Sequence, residues 1–455
     1  MSEKRIGRRE FVRRTLAGAS AAAVCSSAAP RSVARGARRP NLLFILADDL
    51  GWGDLSCYGR PDYRTPNLDR LASQGVRLTR AYSASPVCTP TRVAFTTGRY
   101  PQRTAVGLEE PLVEPALLRR QGRDPGLPPE HPTVASLLKA AGYRTALVGK
   151  WHVGYLPKYG PVKSGYEEFF GIMSGGADYF THRDPGGAPD LYEAEVPVER
   201  AGYMTDLLTE RAVEYLRRRD DRPFYLSLHY TAPHWPWEGP RDEATSRTLG
   251  PGRAGMTVGG SLKTYAEMMR SLDDGVGLVM RALRASGLER DTLVVFTSDN
   301  GGERFSYHWP FRGAKYDLYE GGIRVPALVR WPGVVAAGKT SAQSAVTMDW
   351  TATLVAAAGA TPAPTHPLDG VDLLPVLSGK RAPFERTLFW RHGGQAAALE
   401  GDWKYLKSDD KTERLFDLSA DEREQADFAA ARPEVVADLR DKYRRWESQM
   451  LPPRA

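Results

Sequence analysis

Apolar runs in this chain stop abruptly in polar residues, and they do so several times. NLLFILADDLGWGD (41–54) is seven apolar or small residues, then two carboxylates and a Gly-rich turn. A run of that length predicts a strand buried on both faces, as in parallel sheets. In TPNLDRLASQGVRLTRAYS (65–83), Leu68, Leu71 and Ala72 recur at helical spacing and Gly75 marks the stop. TVASLLKAAGYRTALVGKWHVG (133–154) predicts a helix ending near Gly142, a strand over 145–148 and then polar residues. PFYLSLHYTAPHWPWE (223–238) and TLVVFTSDNGG (292–302) predict two more such strands, with a helix over 265–287 between them. Alternating strands and helices predict an α/β fold built on a mostly parallel sheet. Pro-rich 361–367 and the segment 377–383 mark a boundary, after which 387–418 reads as short antiparallel strands and 433–450 as an amphipathic helix. The expected organisation is a leader over 1–39, an α/β domain over 40–376 and a small α+β subdomain over 377–455.

The strand ends carry the candidate chemistry: Asp48 and Asp49; Lys150 and His152; His234; Asp299 and Asn300. Ligands of open α/β sheets bind beyond the carboxyl ends of the strands, so these distant groups are expected to share one crevice. Three carboxylates and an amide offer oxygen donors only, which suits a hard cation rather than zinc. The same Asp and Asn residues also serve as ordinary turn formers, and a single pair would be read that way. Lys150 and His152 flank Trp151, and alternation along an extended segment would aim both to one side, a clamp for an anion with an acid/base group. Lys315, in RGAKYDLYEGGIRVP, is a further cation of this kind.

Charge changes the picture little. The 455 residues have a formal net charge of +7, but the first forty hold ten Lys/Arg and two Asp/Glu, so the rest is close to neutral and a nucleic-acid partner is not expected. Arg8–Arg9, followed by Phe11 and a small-residue apolar stretch, is the grammar of a twin-arginine export signal, too short for a membrane span. This implies the export machinery as a partner and a periplasmic or extracellular location. Beyond the leader, only Cys57 and Cys88 remain, and neither belongs to a C-x-x-C pair. Cys57 is expected to be a small buried residue.

Cys88 lies in SPVCTPTRVAFTTGRY (85–100). C-T-P-T-R followed by T-T-G-R resembles the C-x-P-x-R…T-G-R pattern of the sulfatase family, and the likeness continues through ADDLGWGD, GYRTALVGKWHVG, SDNGG and EGGIRVP, from about Pro40 to Leu418. The branch it resembles is that of arylsulfatase A and N-acetylgalactosamine-6-sulfatase. The resemblance implies an alkaline-phosphatase-like sandwich and a hydrolase acting on an aryl or carbohydrate sulfate. It implies that a maturation enzyme oxidises Cys88 to formylglycine, and that Asp48, Asp49, Asp299 and Asn300 join that residue around Ca²⁺, with Mg²⁺ the lesser candidate. Arg92 would stabilise the aldehyde hydrate, Lys150, His234 and Lys315 would hold sulfate oxygens, and His152 would act as base. One hydroxyl of the hydrate attacks sulfur, and the second lets the sulfated intermediate collapse and release sulfate. Phe95–Thr96 stand where the family usually has two leucines, a change expected to alter packing rather than chemistry. SGGADYFTH (174–182) and HWPWE (234–238) are expected at the substrate rim, with Asp178, His182 and Trp237 as contacts. Two other functions fit the same residues: a phosphonate monoester or phosphodiester hydrolase on this scaffold, and a non-catalytic protein that binds sulfated glycans and keeps Cys88 as a thiol.

Overall fold

The computed structural model describes residues 39–249, 252–408 and 411–454. The export signal expected at Arg8–Arg9 lies outside them. Eleven strands form one sheet: β1 (Asn41–Ala47), β2 (Val76–Tyr82), β3 (Arg144–Gly149), β4 (Glu168–Ile172), β5 (Leu191–Glu193), β6 (Val196–Pro197), β7 (Phe224–His229), β8 (Thr292–Ser298), β9 (Arg324–Arg330), β10 (Lys339–Ser341) and β11 (Ala345–Val346). Their order is β10-β2-β9-β8-β1-β7-β3-β4-β5-β6, with β11 beside β2. The central five, β8-β1-β7-β3-β4, are all parallel, and antiparallel pairs flank them: β8–β9 and β9–β2 on one side, β4–β5–β6 on the other.

The parallel middle has its cause in β1. All seven of its residues are buried, with Leu43, Ile45 and Ala47 in the core on one face and Leu42, Phe44 and Leu46 in the core on the other. A strand apolar on both faces needs cover on both, and helices supply it. The first face packs on α1 (Pro66–Ser73) and the long helix Leu262–Ala285; the second packs on α2 (Cys88–Thr97) and Thr347–Ala357. Gly75 does end the helical pattern, as expected, but 76–82 is a strand that the apolar count does not show, because Arg77, Thr79 and Arg80 interrupt it. Cys57 is half-buried rather than buried, and both it and Cys88 are free thiols.

A separate four-stranded antiparallel sheet, β12 (Leu388–His392), β13 (Gln395–Glu400), β14 (Trp403–Lys407) and β15 (Glu413–Asp417), packs with the helix Pro433–Glu447 into a third core. That core also includes Tyr82, Ala94, Tyr100 and Ile323 of the main body. Lys404, fully buried, bridges Glu320 at 2.9 Å and Glu424 at 2.8 Å, and Trp390 Nε1 donates to Ser83 O at 2.7 Å. Gln395 holds the loop of the main body at both Leu318 N and Tyr316 O, each at 3.0 Å.

Candidate active site

The carboxyl ends of four of the five parallel strands form the floor of the site. Asp48 and Asp49 follow β1, Lys150 follows β3, His229 ends β7 and Asp299–Asn300 follow β8, so neighbours in the sheet become neighbours in the pocket. Asp49 takes a left-handed φ of 60° that turns its carboxylate beside that of Asp48. Its N–H donates to Asp299 Oδ1 at 3.1 Å, and Asn300 Nδ2 donates to Asp49 Oδ1 at 2.7 Å. The turn behind them is fixed by buried Asp54, whose carboxylate accepts from Gly51 N, Tyr265 OH, Ser306 Oγ and Tyr307 N and pairs with Arg60 at 2.7 Å.

Cys88 opens α2, with Val87 as the residue before the first turn. Its Sγ lies 3.5 Å from Asp48 Oδ1 and 3.8 Å from Asp49 Oδ1. Arg92, one turn on, donates from Nε to Asp299 Oδ2 at 3.0 Å and from Nη1 to Lys150 O at 3.0 Å, tying α2 to the ends of β8 and β3. His229 braces it: Ser227 Oγ donates to Nε2 at 2.8 Å, while Nδ1–H points to Lys150 O at 3.2 Å. Burial and the Arg92 charge push His229 down to about 3, so it is a neutral strut. Phe95 stacks on Phe44 with ring centres 3.9 Å apart and meets the edge of His229, so its place in the motif is a packing one, as expected.

Lys150 and His152 both reach the site, but not through strand alternation. β3 ends at Gly149, whose φ of 115° turns the chain, and His152 itself has a φ of 56°. Lys150 Nζ bonds Asp48 Oδ2 at 2.6 Å, and Lys315 Nζ bonds Asp49 Oδ2 at 2.7 Å. His152 Nε2–H donates to Leu112 O at 2.7 Å, which leaves a buried Nδ1 lone pair with no hydrogen-bond partner. His234 Nδ1–H donates to Trp235 O at 2.6 Å, and its Nε2 sits 3.6 Å from Asp49 Oδ2. Burial and neighbouring lysines hold both imidazoles well below their usual range. Burial, with Asp299 nearby, raises Asp48, whereas Arg92 and Lys150 outweigh burial at Asp299 and lower it. Gly175 and Gly176 face the rings: a Cβ at Gly175 would lie 2.5 Å from His152 Cε1, and one at Gly176 would lie 3.0 Å from His234 Cε1.

Donor atoms suited to a cation converge here. Asp48, Asp49, Cys88 and His234 present atoms within 4.8 Å of one another. Asp299 adjoins them, and Asn300 Oδ1 is buried without a hydrogen-bond partner. An orphaned amide oxygen among three carboxylates is what a hard cation would satisfy.

Cys88, His152, His234 and Lys315 line one cavity. Asp178, His182 and Trp237 do not. Asp178 accepts from Phe180 N, Thr181 N and Ser246 Oγ, His182 Nε2 bonds Gly202 O, and Trp237 packs on Phe305. The polar atoms of Asp178 and His182 thus bond within the protein, and the sequence expectation of these three as rim contacts is not reflected in the lining of this cavity. The rim comes instead from Pro111–Glu114, Ser174–Gly176, Pro185, Trp235 and Tyr316. The 174–176, 235 and 316 positions lay in segments the sequence singled out; Pro111–Glu114 and Pro185 had no chemical signature to find.

The sulfatase family model matches residues 40–360. Human arylsulfatase A is 37% identical over 389 residues, covering 78% of this chain and 71% of that protein. Human N-acetylgalactosamine-6-sulfatase is 34% identical over 375 residues, covering 78% and 68%. Among solved structures, Ps i-CgsB in complex with k-i-k-neocarrahexaose superposes with a TM-score of 0.81 at 30% identity, over 91% of this chain and 94% of that one. The fold is that of these enzymes, the alkaline-phosphatase-like architecture expected from the motif. With the family match spanning most of the sheet and its strand-end residues gathered in one pocket, the chain belongs to the sulfatase family and is a sulfuric ester hydrolase.

Proposed function

We propose that the pocket cleaves an aryl or carbohydrate sulfate monoester with formylglycine made from Cys88, beside a Ca²⁺ held by Asp48, Asp49, Asp299 and Asn300. The observation that carries this is the position of Cys88: buried at the start of α2, its Sγ within 3.5–3.8 Å of both β1 carboxylates. When bound, the cation would offset the repulsion between an anionic ester and an anionic nucleophile. Formylglycine would supply, as its hydrate, a nucleophile with a second hydroxyl for the exit step. Lys150 and Lys315, each an ammonium fixed by a carboxylate, hold sulfate oxygens. Arg92 fixes Asp299 and steadies the hydrate from Nη2. His152, with Nε2–H committed to Leu112 O, presents Nδ1 as the acceptor of the hydrate's second proton. The departing alcohol takes its proton from the Lys315 ammonium or from His234, whose Nδ1–H is committed to Trp235 O and whose Nε2 must first take up a proton when the anion binds.

Several wider assignments rest on the sequence. A maturation enzyme that converts Cys88 and the twin-arginine machinery that reads Arg8–Arg9 are the implied partners, with a periplasmic or extracellular site of action. Among the described residues no helix is long and apolar enough to cross a membrane. We divide the chain at 376/377 into the catalytic domain and the C-terminal subdomain.

The test uses protein from a host with maturation activity. Mass spectrometry of the Cys88 peptide should show the aldehyde, and 4-nitrophenyl sulfate should be turned over faster than 4-nitrophenyl phenylphosphonate at equal concentration. Ca²⁺ at about a hundred times its Kd should stabilise the fold by about 2.7 kcal/mol in thermal unfolding, and Asp49→Asn should lose that gain. An intact thiol with bound but unhydrolysed sulfate would favour the glycan-binding reading; preferred phosphonate turnover would favour the phosphonate hydrolase.

A further inference from the structure

We propose that Glu114 filters substrates by charge on the leaving-group side of the pocket. It would favour esters whose alcohol presents a hydroxyl or ammonium to it and reject those carrying a second anion beside the scissile sulfate. The inference rests on the sulfate lying at the Cys88 end.

Beyond the floor, the cavity walls are mainly apolar: Pro111, Val113, Pro185, Trp235 and Tyr316. Apart from Lys315 and the two histidines, which belong to the sulfate end, Glu114 is the charged side chain that lines it. Glu114 is half-buried, and its carboxylate makes no hydrogen bond or ion pair with the described residues. It precedes the short helix α3 (Pro115–Arg120) without capping it through its side chain, so the helix does not use the carboxylate. Carboxylates at protein surfaces ordinarily have water or a cation beside them; one left unpaired on a pocket wall is available to a ligand.

This wall is held in register with the chemistry. Leu112 N–H donates to Thr89 Oγ1 at 3.0 Å, next to Cys88, and Leu112 O accepts from His152 Nε2 at 2.7 Å. Tyr155 OH donates to Val113 O at 3.0 Å. Three hydrogen bonds therefore fix 112–113, and with them the direction from which Glu114 meets a bound ester. Across the wall Gly186 approaches: a Cβ built there would lie 3.5 Å from Glu114 Cγ and 3.2 Å from Asp184 Oδ1. Asp184 accepts from Ala188 N at 2.8 Å, so a second carboxylate sits behind this side of the cavity. The pocket is therefore bipolar: cations at the sulfate, carboxylates toward the alcohol. Like charges brought together in a partly desolvated pocket discriminate strongly between ligands, and a rejecting group confers specificity as effectively as an attracting one.

The matched probes are 3-(aminomethyl)phenyl sulfate and 3-carboxyphenyl sulfate, with phenyl sulfate as reference. The wild-type enzyme should prefer the ammonium over the carboxylate by at least about tenfold in kcat/KM, corresponding to about 1.4 kcal/mol. Glu114→Gln should reduce the preference to about twofold, and Glu114→Asp should restore most of it. Intrinsic reactivity of the esters cancels because the same pair is compared across variants. High salt should shrink the wild-type preference and leave that of Glu114→Gln unmoved. A preference absent in the wild type, or unchanged in Glu114→Gln, overturns the proposal. Failure to turn over phenyl sulfate at all would count against the chemistry assigned to Cys88 instead. In that event the same two esters, titrated as ligands by thermal shift, still read Glu114 through their affinity ratio.

Discussion

Cys88 is poorly placed to act as a thiol. Burial, aided by Asp299 and Asp48 and only partly opposed by Lys150 and Lys315, holds its pKa well above the usual value. A protonated thiol facing two carboxylates is a weak nucleophile, whereas reactive cysteines sit in electropositive, partly exposed places. The surroundings instead suit a residue that brings its own neutral hydroxyls. Cys88→Ala is expected to abolish turnover of 4-nitrophenyl sulfate, a loss of at least about a thousandfold for a missing covalent nucleophile. Cys88→Ser has one hydroxyl and no second one to drive the exit, so it should at most retain sulfate as a stable ester, seen as a sulfo adduct on the intact protein. Sustained turnover by either variant would remove Cys88 from the mechanism. His152 belongs to the same argument, because its orphaned Nδ1 has no structural partner to lose.

Strand ends explain why part of the site was legible before any coordinates. β1, β3, β7 and β8 are each buried throughout and carry an apolar stretch that marks them, and the residues just past their ends must lie at one edge of the sheet. Asp48, Asp49, Lys150, Asp299 and Asn300 were legible for that reason. The sequence was silent about β2, β4 and β9: arginines punctuate β2, Gly171 interrupts β4, and Pro326 sits within β9. The antiparallel flanks, which make this a mixed sheet, went unread with them. Residue type did not locate the cavity wall: Asp178 looks like a ligand but accepts from Phe180 N and Thr181 N, and Trp237 packs on Phe305. How a strand end aims its residue is tested at Gly149. With φ at 115°, it places its backbone so close to β7 that a Cβ would lie 1.7 Å from His229 O. The neighbouring Gly171 makes the same approach from β4, where a Cβ would lie 2.0 Å from Gly149 O. Gly149→Ala should therefore separate β3 from β7 just where Lys150 leaves the sheet. The expected cost is at least about 2 kcal/mol in urea unfolding, with a loss of sulfate turnover larger than that of a Gly→Ala change at exposed Gly59, where φ is 108° and a Cβ would meet nothing. A variant as stable and active as the parent would show that the turn is not needed to aim Lys150.

At the scale of the whole molecule, buried polar groups couple the site to the fold in opposite directions as pH changes. Asp190 is raised to about 7 and Glu238 to about 8, mainly by burial. Between the ordinary carboxylate value and those values the folded state binds more protons than the unfolded one, so these groups favour folding less as pH rises. His229 does the reverse. Its folded value of about 3 lies below the ordinary 6.5, so its contribution is fully present above pH 6.5. As pH falls from 6.5 toward 3, the unfolded chain takes up a proton that the folded one refuses, and stability declines. The summed profile of the wild type is consequently shallow and uninformative about any one group. The difference between wild type and His229→Gln is informative, because an amide donates to Lys150 O without titrating. Urea midpoints for both proteins at pH 7.5, 6.5, 5.5 and 4.5 supply that difference. The variant should be less stable at neutral pH, through loss of the Ser227–His229–Lys150 chain of hydrogen bonds. It should then recover on the order of 2 kcal/mol relative to wild type by pH 4.5. Parallel profiles across that window would mean that His229 takes up its proton in the fold as readily as in the unfolded chain, and the neutral strut that positions Arg92 would have to be abandoned.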